Sequence, residues 1–455
     1  MTFSIIQKSQ LEGAQRIDAE YYQPEYLVIQ KSLSKQKTVP LVKVATISSG
    51  PAYSSSEMED DFDFPIARIG DITRKTNRED WIKISRKEFE KFHSKKINDF
   101  DILMTMTGDP PDVGKCNIYR LKNGEVIAFN QRVARISSRI NPYYLFAYLS
   151  TKYARLQTER NALGIRQRNV ATNDIRNIQV ISLSEDKQDT IGKIIEKYIS
   201  ELASSQQLIK LAEDLLLEEL GLKDIQFEDD LIYIVNSREI NNANRADAEY
   251  FQPKFDKLIE LLKKYQIVDL KKVIQDVPAQ FNPYLEPDKT FKYVELADIN
   301  SSIGVIENGN EILGKEAPSR ARRLLKTDDV IISSVEGSLE KVALVSKDQE
   351  GFLASTGFFQ FRSNKILPEV LLILAKSIVL QWQFKKHCAG TILTAVPADA
   401  LNKMTIPILP KPTQQKIAAL VRQSHTARQK SKELLDESKN KIEEIIEKGN
   451  NDSIS

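Results

Sequence analysis

Arg-Ile-Asp-Ala-Glu-Tyr-Tyr-Gln-Pro at residues 16–24 returns as Arg-Ala-Asp-Ala-Glu-Tyr-Phe-Gln-Pro at residues 245–253, with seven of nine positions identical. The spacing persists outward from this box. Asp71-Ile72 is matched by Asp298-Ile299, Asp101-Ile102 by Asp329-Val330, and Gly164 by Gly390. The chain is therefore two copies of one module, and it presents two similar surfaces before any active site is considered.

Each copy has the same internal order. A short strand-like run (residues 3–6 and 232–235) precedes the box, and the Gln-Pro that closes the box opens a helix-like stretch. Strand-like runs follow at 65–72, 102–107 and 126–136, with partners at 293–299, 330–334 and 352–362. Segments 143–158 and 368–387 have the apolar spacing of packed helices. Each copy then closes with a long amphipathic helix. Ile191, Ile195, Tyr198, Leu202, Ser205, Ile209, Ala212 and Leu216 fall at the alternating three-and-four spacing of a coiled-coil seam. In the second copy the same register runs through Ile417, Val421, Ser424, Arg428, Ser431, Leu435, Ser438 and Ile442, and turns polar in the middle.

The pattern predicts an α+β chain: two tandem β-rich mixed domains, each followed by a long helix, the two helices pairing as an antiparallel coiled coil with pseudo-twofold symmetry. The expected boundaries are 1–185 and 232–412 for the domains, 186–222 and 413–448 for the helices, 223–231 for a linker, and 449–455 for a disordered tail. A helix of about 34 residues spans about 50 Å, long enough to hold two domains apart. The competing expectation is that each helix packs only on its own domain.

Composition bounds the function. The 455 residues carry 65 Lys+Arg against 63 Asp+Glu, a net charge of only +2. Any nucleic-acid surface must then come from segregated charge and not from excess. No apolar run approaches the roughly 20 residues of a membrane span, and the first residues do not read as a signal peptide. Cys116 and Cys388 lie in opposite halves and imply no disulfide framework. A cytoplasmic protein without membrane contact is expected.

Catalytic signatures are missing from the sequence. None of the 17 glycines is followed by another at i+2, so there is no Gly-x-Gly nucleotide loop. The three histidines, His93, His387 and His425, are scattered and make no zinc motif. Asn141-Pro142-Tyr143-Tyr144 resembles an adenine methyltransferase loop but lacks its second proline, and reads as a helix start. Asp329 with Glu340 and Lys341 lacks the spacing of a nuclease site. No catalytic residue, metal or cofactor is expected on this chain.

What remains is a set of polar and basic loops at matching places in the two copies. Arg166, Gln167, Arg168 and Asn169 follow Gly164; Thr391 and Thr394 follow Gly390. Arg and Gln suit paired hydrogen bonds to guanine and adenine edges, and Arg also clamps phosphates. Further candidates are Arg74, Lys75, Asn77 and Arg78; Thr107 with Thr105 and Gly108; Arg320, Arg322 and Arg323 with Ser319; and Ser334 with Ser333 and Gly337. Each cluster taken singly reads as a solvated loop. Their recurrence with different residues favours readers of two different targets, whereas the invariant box reads as frame.

The doubled Arg-x-Asp-Ala-Glu-Tyr-[Tyr/Phe]-Gln-Pro box, and the run from each Gly through Ile into Gln and a long helix, resemble the specificity subunit of type I restriction–modification enzymes. The Pro407 to Ile417 entry fits that family well, while Ser184-Glu185-Asp186 stands where prolines are common. The resemblance implies two target-recognition domains reading the halves of a split, asymmetric site in double-stranded DNA. It further implies a coiled coil that sets the gap, two docked methyltransferase subunits, and restriction subunits joining that core. S-adenosylmethionine, ATP and Mg would then belong to the partners. A specificity subunit of a methyltransferase-only or Type II-like system is a related reading. A protein-interaction scaffold without DNA binding is a different one.

Overall fold

The computed structural model describes residues 4–14, 16–59, 62–74, 81–92, 95–108, 112–164, 167–225, 230–390 and 394–448. The chain forms two compact units, Met1–Leu202 with Gln429–Ser455, and Ala203–Arg428.

In the first unit the central strand Ile102–Thr105 is buried along its whole length. Its alternate side chains serve two cores. Ile102 and Met104 pack with Ile47, Ile136 and the helices, while Leu103 packs with Trp81, Phe129 and Val133. A strand apolar on both faces needs a layer on each side. Its sheet is antiparallel, in the order Ala45–Ser49, Val133–Ser138, Ile102–Thr105, Cys116–Ile118. A smaller sheet orders Met58–Glu59, Lys83–Ile84, Phe64–Ala67 and Ala128–Phe129, with Ile66 beside Ala128 in a parallel pair.

The second unit repeats this plan. Its antiparallel sheet runs Gln275–Asp276, Phe358–Arg362, Val330–Ser333, Val342–Leu344. Its other sheet runs Asn310–Leu313, Thr290–Val294, Leu353–Ser355, Ala321–Leu324, with Tyr293 parallel to Leu353. The place of Ala321–Leu324 is taken in the first unit, among the described residues, by a bridge between Lys96 and Ala128.

The apolar segment at 143–158 is two helices, Pro142–Leu149 and Lys152–Asn161, because the Thr151 side chain accepts from the Ala154 N–H and starts a new helix. The segment at 368–387 likewise divides at Ser377, which caps Ile378–His387. Asn141 accepts from the N–H groups of Tyr143 and Tyr144, with Pro142 at the first helical position, so the Asn-Pro pair is a helix start.

Two strand expectations are corrected. Residues 232–235 form no strand: among the described residues no strand pairs with them, and Ile232 and Ile234 stand 90% and 100% exposed. The described part of 3–6 is likewise irregular, with Ile5 exposed. The run at 65–72 is strand only to Ala67, then helix Ile69–Arg74, where the Asp71 carboxylate accepts from the Arg68 N–H at 2.8 Å.

The long helices are Glu185–Glu219 and Lys411–Lys448. In the first unit, Ile191, Ile195 and Tyr198 of one share a core with Ile442 and Ile446 of the other. Gln36 Nε2 donates to the Ile446 carbonyl at 2.9 Å, and Lys152 pairs with Glu447 at 2.8 Å. In the second unit, Ile209, Ala212 and Leu216 share a core with Ile417 and Val421. There the hydroxyls of Ser205 and Ser424 lie 3.1 Å apart, and Thr413 donates to Glu219 at 2.9 Å, so the two segments run antiparallel.

The polar middle of the seam is explained by size. Ser205, Ser424, Ser431 and Ser438 are completely buried, and Ser424 Oγ also donates to the Ser205 carbonyl at 2.8 Å. Side chains this small let two backbones approach while each buried hydroxyl keeps a partner. The charged seam residue, Arg428, is bound to Glu307 at 2.6 Å.

Ser424→Leu therefore overfills the seam and costs about 1–3 kcal/mol, read as a lower urea midpoint with an unchanged m-value. A second prediction concerns pH. Burial lowers His387 to about 4 and lowers His425, whose Nε2–H faces the Ile303 carbonyl at 3.0 Å. Both folded values lie below the ordinary value of 6.5, so protonation favours the unfolded chain. Their stabilisation is complete above pH 6.5 and is lost as the pH falls toward 4. The melting temperature should drop across that window, and His387→Gln with His425→Gln should flatten the drop.

Candidate nucleic-acid interface

The central strand of each repeat starts from a carboxylate buried in a tight turn. Asp101 accepts from the Asn98 N–H at 2.7 Å and from Ser137 Oγ at 2.6 Å. Asp329 accepts from the Lys326 N–H at 2.9 Å, from Gln360 at 2.6 Å, and from Arg362 through two bonds of 2.7 and 2.8 Å. The residue before each takes a left-handed conformation, φ 65° at Phe100 and 69° at Asp328. Burial raises the Asp101 carboxyl pKa. Lys341 donates to the Ile299 carbonyl at 3.1 Å. The Asp329, Glu340 and Lys341 group is thus built into the frame through two of its members.

Each strand leads to a glycine-pinched loop. In the first repeat Thr107–Gly108 pairs antiparallel with Arg168–Asn169, and Thr107 Oγ1 donates to Asn169 Oδ1 at 2.6 Å. Leu163 and Asn169 exchange two backbone bonds of 2.8 Å. Gly164 has φ 124°, and a Cβ there would lie 2.1 Å from the Gln167 carbonyl oxygen, so only glycine fits. In the second repeat Ala389 and Ala395 exchange bonds of 2.9 and 3.0 Å, and Gly390 has φ 131°. The Glu336 N–H donates to the Thr394 carbonyl at 3.0 Å, and the Val396 N–H to the Ser334 carbonyl at 2.8 Å.

The fold thus brings together Thr107, Gln167, Arg168 and Asn169 in one repeat, and Ser334 with Thr394 in the other. Gln167 is exposed and Arg168 half-buried. Arg166, Thr391, Lys75, Asn77 and Arg78 lie outside the described residues, and Arg74 closes the helix Ile69–Arg74.

The arginine cluster at 320–323 belongs to the smaller sheet and does not act as a unit. Arg320 is exposed. Arg322 donates to the Ser319 carbonyl at 3.0 Å and to Asn282 at 2.8 Å. Arg323 is buried, donates to the Val277 carbonyl, and sits 3.7 Å from Asp276; burial lowers its pKa. These structural partners take Arg323 out of the candidate interface. Strand alternation carried the signal, since Ala321 and Arg323 share the inward face.

Two residues that sequence reasoning missed, Tyr26 and Arg160, line a cavity of about 470 Å³ beside the first loop, together with Arg16, Gly164 and Arg168. The available signal was Lys386, the counterpart of Arg160 at the Gly164–Gly390 spacing.

Residues 34–213 match the family model described as Type I restriction modification DNA specificity domain. Among solved structures, the chain is similar to the HsdS subunit from Thermoanaerobacter tengcongensis, at 33% identity over 34% of this chain and 40% of that one, with a TM-score of 0.31. It is also similar to the type-I restriction-modification S subunit from M. genitalium, at 11% identity over 90% and 95% of the chains, with a TM-score of 0.40. A third similarity is to a type I R-M system structure on complex assembly and conformational transition, at 14% identity over 91% and 97%, with a TM-score of 0.28. The aligned stretch thus spans less than half of the first of these relatives. No curated protein matches the chain. The matched residues 34–213 thus lie within the first repeat and its closing helix.

Asp329→Ala would strand the Arg362 guanidinium without its carboxylate. We expect a loss of about 3 kcal/mol or more, measured by denaturant unfolding.

Proposed function

We propose that this chain is the DNA-recognition subunit of a type I restriction–modification complex, reading a bipartite, asymmetric double-stranded target with one loop set per repeat. One observation carries the reading: the two glycine-pinched loops are built alike, yet one presents Gln167, Arg168 and Asn169 where the other presents Thr394. A common frame with divergent side chains suits two different base sequences on the same kind of duplex. Gln and Arg supply bidentate contacts to adenine and guanine, and Thr packs on the thymine methyl or bonds to either partner. The near-neutral charge fits a reader that relies on placed contacts more than on bulk attraction.

The two long helices act as the spacer between half-sites and, with the domains, as the dock for two methyltransferase subunits; restriction subunits join that core. S-adenosylmethionine, ATP and Mg reside on those partners, and this chain performs no chemical step. The whole works in the cytoplasm. A spacer of about 50 Å is compatible with successive major-groove faces about 34 Å apart.

The test is selection from a random DNA pool by the purified methyltransferase–specificity complex. A two-part motif is expected. Gln167→Ala should blur one half of it by about tenfold in preference and leave the other half intact. Equal loss on every sequence would make Gln167 a phosphate contact, and absence of binding at any salt concentration would favour the scaffold reading.

A further inference from the structure

In each repeat two cations lie over the ring of the first tyrosine of the box. Arg16 lies 4.4 Å and Arg160 4.0 Å from the Tyr21 ring centre. Arg245 lies 4.6 Å and Lys386 5.3 Å from that of Tyr250. The first cation of each pair is fixed within the box by a two-pronged bond to Asp18 or Asp247, at 2.8 and 2.9 Å in both repeats. The same aspartates accept from the N–H of Tyr21 and Tyr250 at 3.1 Å, capping the turn.

The second cation comes from elsewhere. Arg160 and Lys386 sit at the ends of the helices that lead into the two loops, each a single turn before the left-handed glycine. Arg160 Nε also donates to the Tyr21 carbonyl at 3.0 Å and Nη1 to Gln30 at 2.9 Å. Lys386 pairs with Asp256 at 2.7 Å on the corresponding helix, Pro253–Leu262. On the far side of the first loop, Arg168 lines the same cavity as Tyr26, on the helix Pro24–Leu33 that the box opens. The helix that enters the first loop is therefore tied to the box and its helix through Arg160.

A box identical in the two repeats cannot encode two different base sequences, but it can fix where the loops that encode them stand. The charges agree with this role. Arg16, Arg245 and Lys386 are paired with Asp18, Asp247 and Asp256, and Arg160 is committed to the Tyr21 carbonyl and Gln30, which suits a brace better than a phosphate clamp. We propose that the Arg-x-Asp-Ala-Glu-Tyr box is the positioning device for the recognition loops, and that Arg160 and Lys386 are the positioning residues through which it acts. The inference rests on the DNA-reading assignment above.

The test uses the full chain in complex with its methyltransferase partner, with pool selection and melting temperature as readouts. Arg160→Met should lower discrimination in one half of the motif about tenfold, leave the other half unchanged, and leave complex assembly intact. Lys386→Met should do the reverse. Arg160→Lys should restore the first half, because lysine fills that place in the second repeat. If Arg160→Met does not fold, Tyr21→Leu with Arg160→Lys gives the same comparison. Equal loss over all sequences, equal impairment by methionine and lysine, or unchanged discrimination would each overturn the proposal while leaving the DNA-reading assignment standing. A wild-type complex that selects no two-part motif would overturn both.

Discussion

A carboxylate sealed from water must be satisfied by its own chain, and in each repeat one such group, Asp101 or Asp329, holds the turn from which the central strand departs. That turn fixes where the strand begins, and the strand's length fixes where Thr107 and Ser334 emerge. Burying an ion costs several kcal/mol unless hydrogen bonds and a counter-charge compensate it. Asp329 has Arg362 for this purpose, while Asp101 has Arg135 at 3.8 Å and depends more on Ser137. The same geometric problem is thus solved with unequal pairing, while the strand order around it is unchanged.

On that root stand parts of two kinds. Parts that are alike in both repeats are closed on themselves: the box latch, the left-handed glycines and the sheet order. Parts that differ lie at the loop ends, where Gln167 is exposed. This division is what a recognition protein requires, since specificity calls for side chains free to differ on a backbone that is not. Rigid roots also limit the ordering entropy lost on binding.

Much of this was legible in the sequence because its signals are local. The box, the glycines and the heptads each announce a backbone state within a few residues. The breaks at Thr151 and Ser377 were hidden, since apolar periodicity continues through a helix cap. The run at 232–235 misled because β-branched residues make a strand only when another strand lies alongside. The basic cluster at 320–323 misled because composition ignores the alternating faces of a strand, which turn Arg323 inward toward Asp276. Nor could residue type show that serines in the seam would be fully buried and close-packed. Arg160 was marked only by its alignment with Lys386, because its role arises from two segments far apart in the chain.

The central claim is that a common frame carries interchangeable loops, each answerable for its own stretch of duplex. The most direct measurement is sequencing of the DNA methylated in cells that carry this chain with residues 163–169 replaced by residues 389–395. The account predicts a motif altered in one half and preserved in the other. A motif unchanged throughout, or altered in both halves, would contradict it.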